Sequence, residues 1–207
     1  MYTIMRDYRR ENVIEKSRFI CTLKKVGSEA EAQEFIKKIK KEFWDATHNC
    51  SAYIIDEMAQ RSSDDGEPAG TAGLPMLEVL RKNGLTGTAA VVTRYFGGVK
   101  LGAGGLVRAY TGSVADAVRE CGIAEKVLMS RFSFGCDVNS AGKILNILYQ
   151  QQLFEVEDVE YGMRARIILR MKDADRQQAE AWLTERLNRE IQLEHEGSGY
   201  VEVPAGK

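Results

Sequence analysis

Apolar and polar positions along the chain switch repeatedly between the period of a helix and that of a strand. Apolar side chains recur at helical spacing after a capping box at residues 28–31, which predicts a helix to about residue 43. Continuous apolar runs at residues 50–55 and 86–94 predict two buried strands. The segment between these runs predicts a polar loop at residues 60–71, followed by a helix to about residue 82.

The same reasoning completes the first half of the chain. It predicts strands at residues 2–5 and 19–26, and a helix over residues 104–121 that Gly122 terminates. Trp44 follows the end of the first helix, and Trp182 lies in a later helical segment. We expect both tryptophan side chains to pack in the core, because an exposed indole leaves a large apolar area in water.

The second half has a more regular order of elements. Ser140 is expected to cap its first helix. The pattern predicts strands at residues 128–138, 154–161, 164–171 and 191–203, with helices at residues 140–151 and 173–187. This β-α-β-β-α-β order is the ferredoxin-like pattern. We therefore predict an α+β protein of two domains, residues 1–125 and residues 126–207.

Composition limits the classes of function. The 207 residues carry a net charge of −1, so any binding of a polyanion must come from a local patch. The four cysteines form no CxxC pair, which favours reduced thiols in a cytoplasmic protein. No apolar run reaches membrane-spanning length, and the charged N-terminus does not resemble a signal peptide. We expect no membrane partner.

The most informative stretch is a glycine-rich turn between a predicted strand and a predicted helix. Glycine lets a ligand approach backbone amides closely, and a helix N-terminus adds unpaired N–H groups. Together with basic side chains, these features suit a phosphate or carboxylate. The alternative is tight packing of strand against helix without a ligand. The predicted cradle comprises the amides of Gly97, Gly98, Gly102, Gly104 and Gly105, the cations Arg94, Lys100 and Arg108, and the aromatic rings of Tyr95 and Phe96, which would stack on unpaired bases.

An acidic stretch precedes the helix predicted after residue 71. Asp64, Asp65 and Glu67 would hold a divalent cation such as Mg²⁺, or act as general acid and base with help from His48. The alternative is a turn whose acids interact with the following helix N-terminus, with His48 as a hydrogen-bonding residue at a strand end. If these carboxylates share a groove with the cations, they require Mg²⁺ or ion pairs with Arg94 or Arg108.

Five short strings together resemble those of the IMPACT family, in its bacterial branch. They are Ser17-Arg18-Phe19-Ile20, His48-Asn49-Cys50, Asp64-Asp65-Gly66-Glu67-Pro68, Arg94-Tyr95-Phe96-Gly97-Gly98 and the run from Leu101 to Tyr110.

The resemblance implies an N-terminal domain similar to the second domain of a small-subunit ribosomal protein, a domain also found in elongation factor G. It also implies a C-terminal domain similar to the last, ferredoxin-like domain of that factor. Eukaryotic relatives act in translational control through an additional N-terminal domain, which we do not expect here because the matching strings start at Ser17.

Three hypotheses of function follow. The first is a translation-associated regulator without a cofactor, which binds RNA, the ribosome or another anionic partner, such as a translation factor, through the glycine-rich basic loop. The second is a metal-assisted enzyme, a hydrolase or one of phosphate-ester or carboxylate chemistry, that uses Asp64, Asp65 and Glu67. The third is a protein-interaction module that docks a partner on its aromatic and glycine-rich surface.

Overall fold

The computed structural model describes residues 1–205, and the chain divides into two compact units. The first unit consists of Met1–Lys126 together with residues 202–205. The second unit is Val127–Val201. The prediction of a mixed α+β fold is confirmed. None of the helices in residues 1–205 is long and apolar enough to cross a membrane.

The first unit is built around an antiparallel sheet of five strands. Their order across the sheet is β2 (Tyr8–Ile14), β3 (Ser17–Lys25), β6 (Thr88–Tyr95), β4 (His48–Ile54) and β5 (Gln60–Ser63). Ser28 caps the first helix as predicted, and its hydroxyl accepts from the Glu31 amide. The elements are β1 (Tyr2–Ile4), β2 (Tyr8–Ile14), β3 (Ser17–Lys25), α1 (Glu29–Glu42), β4 (His48–Ile54), β5 (Gln60–Ser63), α2 (Gly73–Lys82), β6 (Thr88–Tyr95) and α3 (Gly102–Cys121).

Two hydrophobic cores lie on the two faces of this sheet. Helices α2 and α3 cover one face, and α1 packs on the other. Because side chains alternate along a strand, Val92 of β6 joins the α2–α3 core while Val91 joins the α1 core. Burial on both faces explains why the central strands have continuous apolar runs rather than alternating ones.

Two strands of the first unit differ from the prediction. The polar loop predicted at residues 60–71 contains the short edge strand β5, and β2 was not predicted at all. Both are edge strands with largely polar, half-exposed residues, so neither produces an apolar run. The short first strand is confirmed and pairs with residues 123–125, where Ile4 is opposite Ile123.

The second unit has the ferredoxin-like strand order β10-β7-β9-β8. Asp137, rather than Ser140, caps its first helix, because the Asp137 carboxylate accepts from the Asn139 amide and the Ser140 hydroxyl only donates to the Asp137 carbonyl. Its elements are β7 (Ile123–Cys136), α4 (Val138–Leu148), β8 (Glu155–Tyr161), β9 (Ala165–Met171), a 3₁₀ turn (Asp173–Asp175), α5 (Arg176–Leu187) and β10 (Glu194–Pro204).

Candidate functional site

Strings far apart in the sequence meet at one end of the first unit's sheet. Strand β3 begins at Ser17, β4 begins at His48, and β6 ends at Tyr95. The antiparallel register places Arg18 opposite Tyr95 and His48 opposite Arg94. The turn between β2 and β3 and the loops before β4, α2 and α3 therefore emerge at this end.

A buried polar cluster is centred on Glu67, which is only 7% exposed. Its Oε1 accepts hydrogen bonds from Arg94 Nη1 and from the Tyr110 hydroxyl, each at 2.7 Å. Its Oε2 lies 3.7 Å from His48 Nε2. Burial, together with the neighbouring Cys50 and Glu67, raises the pKa of Tyr110. This hydroxyl therefore stays protonated and donates a hydrogen bond to the Glu67 carboxylate. From the loop before α2, the Glu67 side chain thus contacts one residue each of β4, β6 and α3, namely His48, Arg94 and Tyr110.

Arg94 lies inside this cluster and not at the surface. Its side chain is 6% exposed, and Nη2 donates to the Ser17 hydroxyl at 3.4 Å. Its guanidinium carbon lies 5.4 Å from the Phe19 ring centroid and 5.5 Å from that of Phe96. The expectation that Arg94 meets an outside phosphate is therefore not supported, because the guanidinium is buried against Glu67. From the sequence, an ion pair with Arg94 is one way to place an acid in the same groove as the cations. The structure contains this ion pair, and the acid is Glu67.

Asp64 organises the loop before α2. Its two carboxylate oxygens accept from the amides of Gly70 at 2.8 Å, Ala72 at 3.0 Å and Gly73 at 2.8 Å. Desolvation acts to raise the pKa of Asp64, but these three amides outweigh it and lower the pKa. The carboxylate therefore remains charged and satisfies N–H groups at the start of α2.

Asp65 is held between α1 and β4. Its carboxylate accepts from the Asn49 amide at 2.7 Å and forms an ion pair with Lys40. His48 Nδ1 donates to the Asp65 carbonyl at 2.9 Å, which confirms His48 as a hydrogen-bonding residue at a strand end. The three carboxylates are therefore aimed at different partners, and residues 1–205 contain no group of three potential metal ligands. Asp64 serves the turn and the start of α2, whereas Asp65 and Glu67 form ion pairs with Lys40 and Arg94.

Cys50 lies beside His48 on the same face of β4 but is enclosed. Its thiol donates to the Asp64 carbonyl at 2.9 Å and lies 3.4 Å from the Tyr110 hydroxyl. Burial raises the pKa of the Cys50 thiol to about 12, although the contact with Tyr110 acts in the opposite direction. A thiol with this pKa is almost entirely protonated near neutrality and is a poor nucleophile.

We expect the native protein to resist alkylation at Cys50. At mildly alkaline pH, iodoacetamide should modify this residue only as fast as the first unit unfolds, and rapidly once urea is added. Peptide mass spectrometry after timed labelling measures the rate. Fast native labelling that a Cys50→Ala variant abolishes would show a reactive thiol and contradict this description.

Part of the glycine-rich loop is engaged internally. The Gly97 amide donates to the Ser17 hydroxyl at 3.1 Å, and the Phe96 amide donates to the Thr47 hydroxyl at 3.0 Å. A Cβ atom on Gly97 would lie 2.0 Å from the carbonyl carbon of Lys16, so this glycine permits close backbone packing. The amide of Gly97, predicted for the cradle, is therefore not available to a ligand.

The remainder of the loop is open. Helix α3 begins at Gly102, two residues earlier than predicted, and no side chain caps it. The amides of residues 101–104 therefore have no partner within the helix. Gly98 and Gly102 adopt φ angles of +86° and +69° in open space, which favours glycine at both positions.

Two cations flank this open helix start. Lys100 and Arg108 are both exposed, and neither forms an ion pair within residues 1–205. They line an open cavity of about 430 Å³ together with Gly105 and residues of the β2–β3 turn, where Glu15 supplies the one acid of the lining. The cavity therefore combines backbone donors and positive charge.

The aromatic residues near the loop differ in accessibility. The Tyr95 ring has the Arg18 guanidinium 5.2 Å from its centroid, and its hydroxyl donates to Asp45 at 2.8 Å. Phe96 is 47% exposed. The prediction that Trp44 packs in the core is wrong, because this side chain is 81% exposed. Trp182 packs edge-on against Phe154 at 5.7 Å, as expected of a core residue.

The basic residues on the second unit's sheet are neutralised locally. Arg131 and Arg170 both pair with Glu157, at 3.1 and 2.6 Å, and Arg166 pairs with Glu160 at 3.2 Å. Hydrogen bonding from Arg170, aided by both guanidinium charges, lowers the pKa of Glu157 against the effect of its burial. This face therefore offers a phosphate less unpaired charge than the start of α3.

Comparison with known proteins gives one matching family model in each unit. The model of the Impact N-terminal domain matches residues 15–118, and the model described as Domain of unknown function (DUF1949) matches residues 135–188. A solved structure titled "Crystal structure of an hypothetical protein" aligns with a TM-score of 0.59 and 32% identity, covering 93% of this chain and 95% of that one.

Two curated relatives extend the match along the chain. IMPACT family member YvyE of Bacillus subtilis (strain 168) is 46% identical over 203 residues, which are 97% of this chain and 93% of the relative. IMPACT family member YigZ of Escherichia coli (strain K12) is 39% identical over 152 residues, which are 66% of this chain and 74% of the relative. The chain belongs to the IMPACT family.

Proposed function

We propose that this chain is a cytoplasmic, translation-associated regulator that binds RNA, free or within the ribosome, through the start of α3. The observation that carries the proposal is the uncapped N-terminus of this twenty-residue helix between Lys100 and Arg108, two cations that form no ion pair with any residue from 1 to 205. The helix dipole places partial positive charge at the same point. Membership of the IMPACT family supports the translational role that the sequence resemblance implies.

The chemistry of the site fits a phosphate group. Phosphate oxygens accept hydrogen bonds from backbone amides at helix N-termini, and the amides of Gly102 and Gly104 are free of intrahelical partners. Lys100 and Arg108 would supply the charge that holds the phosphate. Because such contacts carry no base sequence information, we expect binding with little sequence preference.

A salt titration tests the proposal. Since each cation releases counterions when it meets a phosphate, the double variant Lys100→Ala with Arg108→Ala should lower the slope of log affinity against log salt by about 1.4 for single-stranded RNA. Fluorescence anisotropy of a labelled oligouridylate at several salt concentrations measures this slope.

A matched control removes the same charge elsewhere. Lys37 on α1 and Arg119 near the end of α3 are both exposed cations of the first unit. Lys37→Ala with Arg119→Ala should leave the slope near the wild-type value. An unchanged slope in the Lys100 and Arg108 variant, or an equal fall in both, would reject the start of α3 as the phosphate site.

The geometry does not favour the enzyme hypothesis. Asp64, Asp65 and Glu67 are each engaged by separate internal donors. Cys50 is enclosed as a thiol. The proposal for RNA binding invokes no cofactor.

A further inference from the structure

Trp44 is presented to solvent by a rigid loop between α1 and β4. The side chain of Asn49 donates to the Phe43 carbonyl at 3.2 Å on one side of Trp44. On the other side, the Tyr95 hydroxyl donates to Asp45. The Ala46 amide also donates to the Phe43 carbonyl, at 3.1 Å, so hydrogen bonds engage both neighbours of an indole that is 81% exposed. The exposure of Trp44 is therefore a property of an ordered loop, and it leaves a large apolar face in contact with water.

The Trp44 loop borders the glycine-rich loop. The Thr47 amide donates to the Arg94 carbonyl at 2.9 Å, and the Thr47 hydroxyl accepts from the Phe96 amide at 3.0 Å. Trp44 and the half-exposed Phe96 thus emerge from two segments that are hydrogen-bonded to each other. Both lie at the same end of the sheet as the start of α3.

Charge at this end of the sheet favours an anion. Lys16, in the β2–β3 turn, forms no ion pair within residues 1–205, and its backbone packs against Gly97. It adds to Lys100 and Arg108, which are also free of ion pairs in that range. Of the nearby acids, Glu15 borders the cavity, and Asp45 accepts a hydrogen bond from Tyr95, a neutral donor that does not offset a carboxylate charge.

We infer that the ligand of this surface is single-stranded RNA, and that Trp44 stacks on one of its unpaired bases while the start of α3 holds a phosphate. The inference rests on the proposed function and extends it to the form of RNA bound. Base faces are free in a single strand but are stacked within a duplex, so an exposed indole gains contact with the former only. A site made of cations alone would not distinguish the two forms.

Intrinsic fluorescence provides a direct test. The chain has two tryptophans, and Trp182 lies in the second unit against Phe154. In a Trp182→Phe protein, Trp44 is the sole tryptophan reporter. Titration with short oligouridylate should quench its fluorescence to saturation, whereas duplex RNA of equal length should quench it far less.

Substitution of Trp44 measures the stacking contribution. Because base–aromatic stacking is lost, Trp44→Ala should weaken oligouridylate binding by about 5- to 100-fold, while Trp44→Phe should retain most of the affinity. Binding of duplex RNA should be unchanged in both variants. Thermal unfolding should match the wild type, since the indole is exposed.

The outcomes separate this inference from the proposed function. Wild-type affinity of Trp44→Ala for oligouridylate, with the salt slope still dependent on Lys100 and Arg108, would overturn the stacking role and leave phosphate binding intact. Equal quenching by single-stranded and duplex RNA would also overturn it. Failure of both RNAs to bind would overturn both proposals. Loss of ribosome co-sedimentation by Trp44→Ala without loss of oligouridylate affinity would assign Trp44 to a protein contact and reject the inference.

Discussion

Replacement of Arg94 by alanine is expected to destabilise the first unit by about 3–5 kcal/mol, because it leaves the buried carboxylate of Glu67 without its cation. The Tyr110 hydroxyl would still donate to Glu67, but a neutral donor does not replace a guanidinium. The loss should lower the midpoint of urea unfolding with little change in the slope of the transition. Circular dichroism during the urea titration measures this shift.

Arg18, which lies in another of the five family strings, serves as the control for Arg94. Arg18 forms a two-pronged pair with Glu11, at 2.7 and 3.0 Å, but both side chains are substantially exposed. Solvent screens this pair, so Arg18→Ala should change stability far less than Arg94→Ala. An Arg94→Ala protein of wild-type stability that has lost RNA binding would contradict the structural role and return Arg94 to the binding surface.

Replacement of Gly97 by alanine is expected to cost about 3 kcal/mol or more, at or above the usual range for overpacking. The added Cβ would lie 2.0 Å from the carbonyl carbon and oxygen of Lys16 and 2.5 Å from the Ser17 nitrogen. These are backbone atoms of the β2–β3 turn, so the clash cannot be relieved by a change of side-chain rotamer. The free energy of unfolding in urea measures the effect.

Gly112 provides the opposite control. It lies inside α3, and a Cβ atom there would meet nothing within 4 Å. Because alanine loses less backbone entropy than glycine in a helix, Gly112→Ala should stabilise the unit by about 0.5–1 kcal/mol. If both glycine substitutions had the same effect, the close approach of the loop to Lys16 would be wrong.

The periodicity of the sequence predicts the core of the fold because burial determines it. The ferredoxin-like order of the second unit could be predicted, since β7, β8 and β9 contain apolar residues of one core, as does the segment before β10 with Ile191 and Leu193. Strand β2 could not, because an edge strand with the sequence YRRENVI satisfies its polar residues in solvent and through cross-strand partners. The cap of α4 was misplaced by three residues, because Asp137 and Ser140 are both acceptable capping residues.

The candidate site was only partly predictable. The sequence identified the glycine-rich helix start together with Lys100 and Arg108, since all of these residues lie within one short segment, residues 98–108. From the sequence, Arg94 was assigned to the ligand, because its pairing with Glu67 joins residues 27 positions apart. This pairing depends on how the loop before α2 folds against β6. The sequence placed Trp44 in the core because an apolar residue at the end of a helix carries no signal of the loop that exposes it.

The most direct test of the account is an amide chemical-shift titration of the protein with oligouridylate. We predict the largest shifts at the amides of Gly98, Gly102 and Gly104 and at the indole N–H of Trp44, with the Gly97 amide, which donates to Ser17, responding less. Saturable binding that moves only resonances of the second unit, or that leaves the amides at the start of α3 unchanged, would contradict the claim that this helix start receives an RNA phosphate.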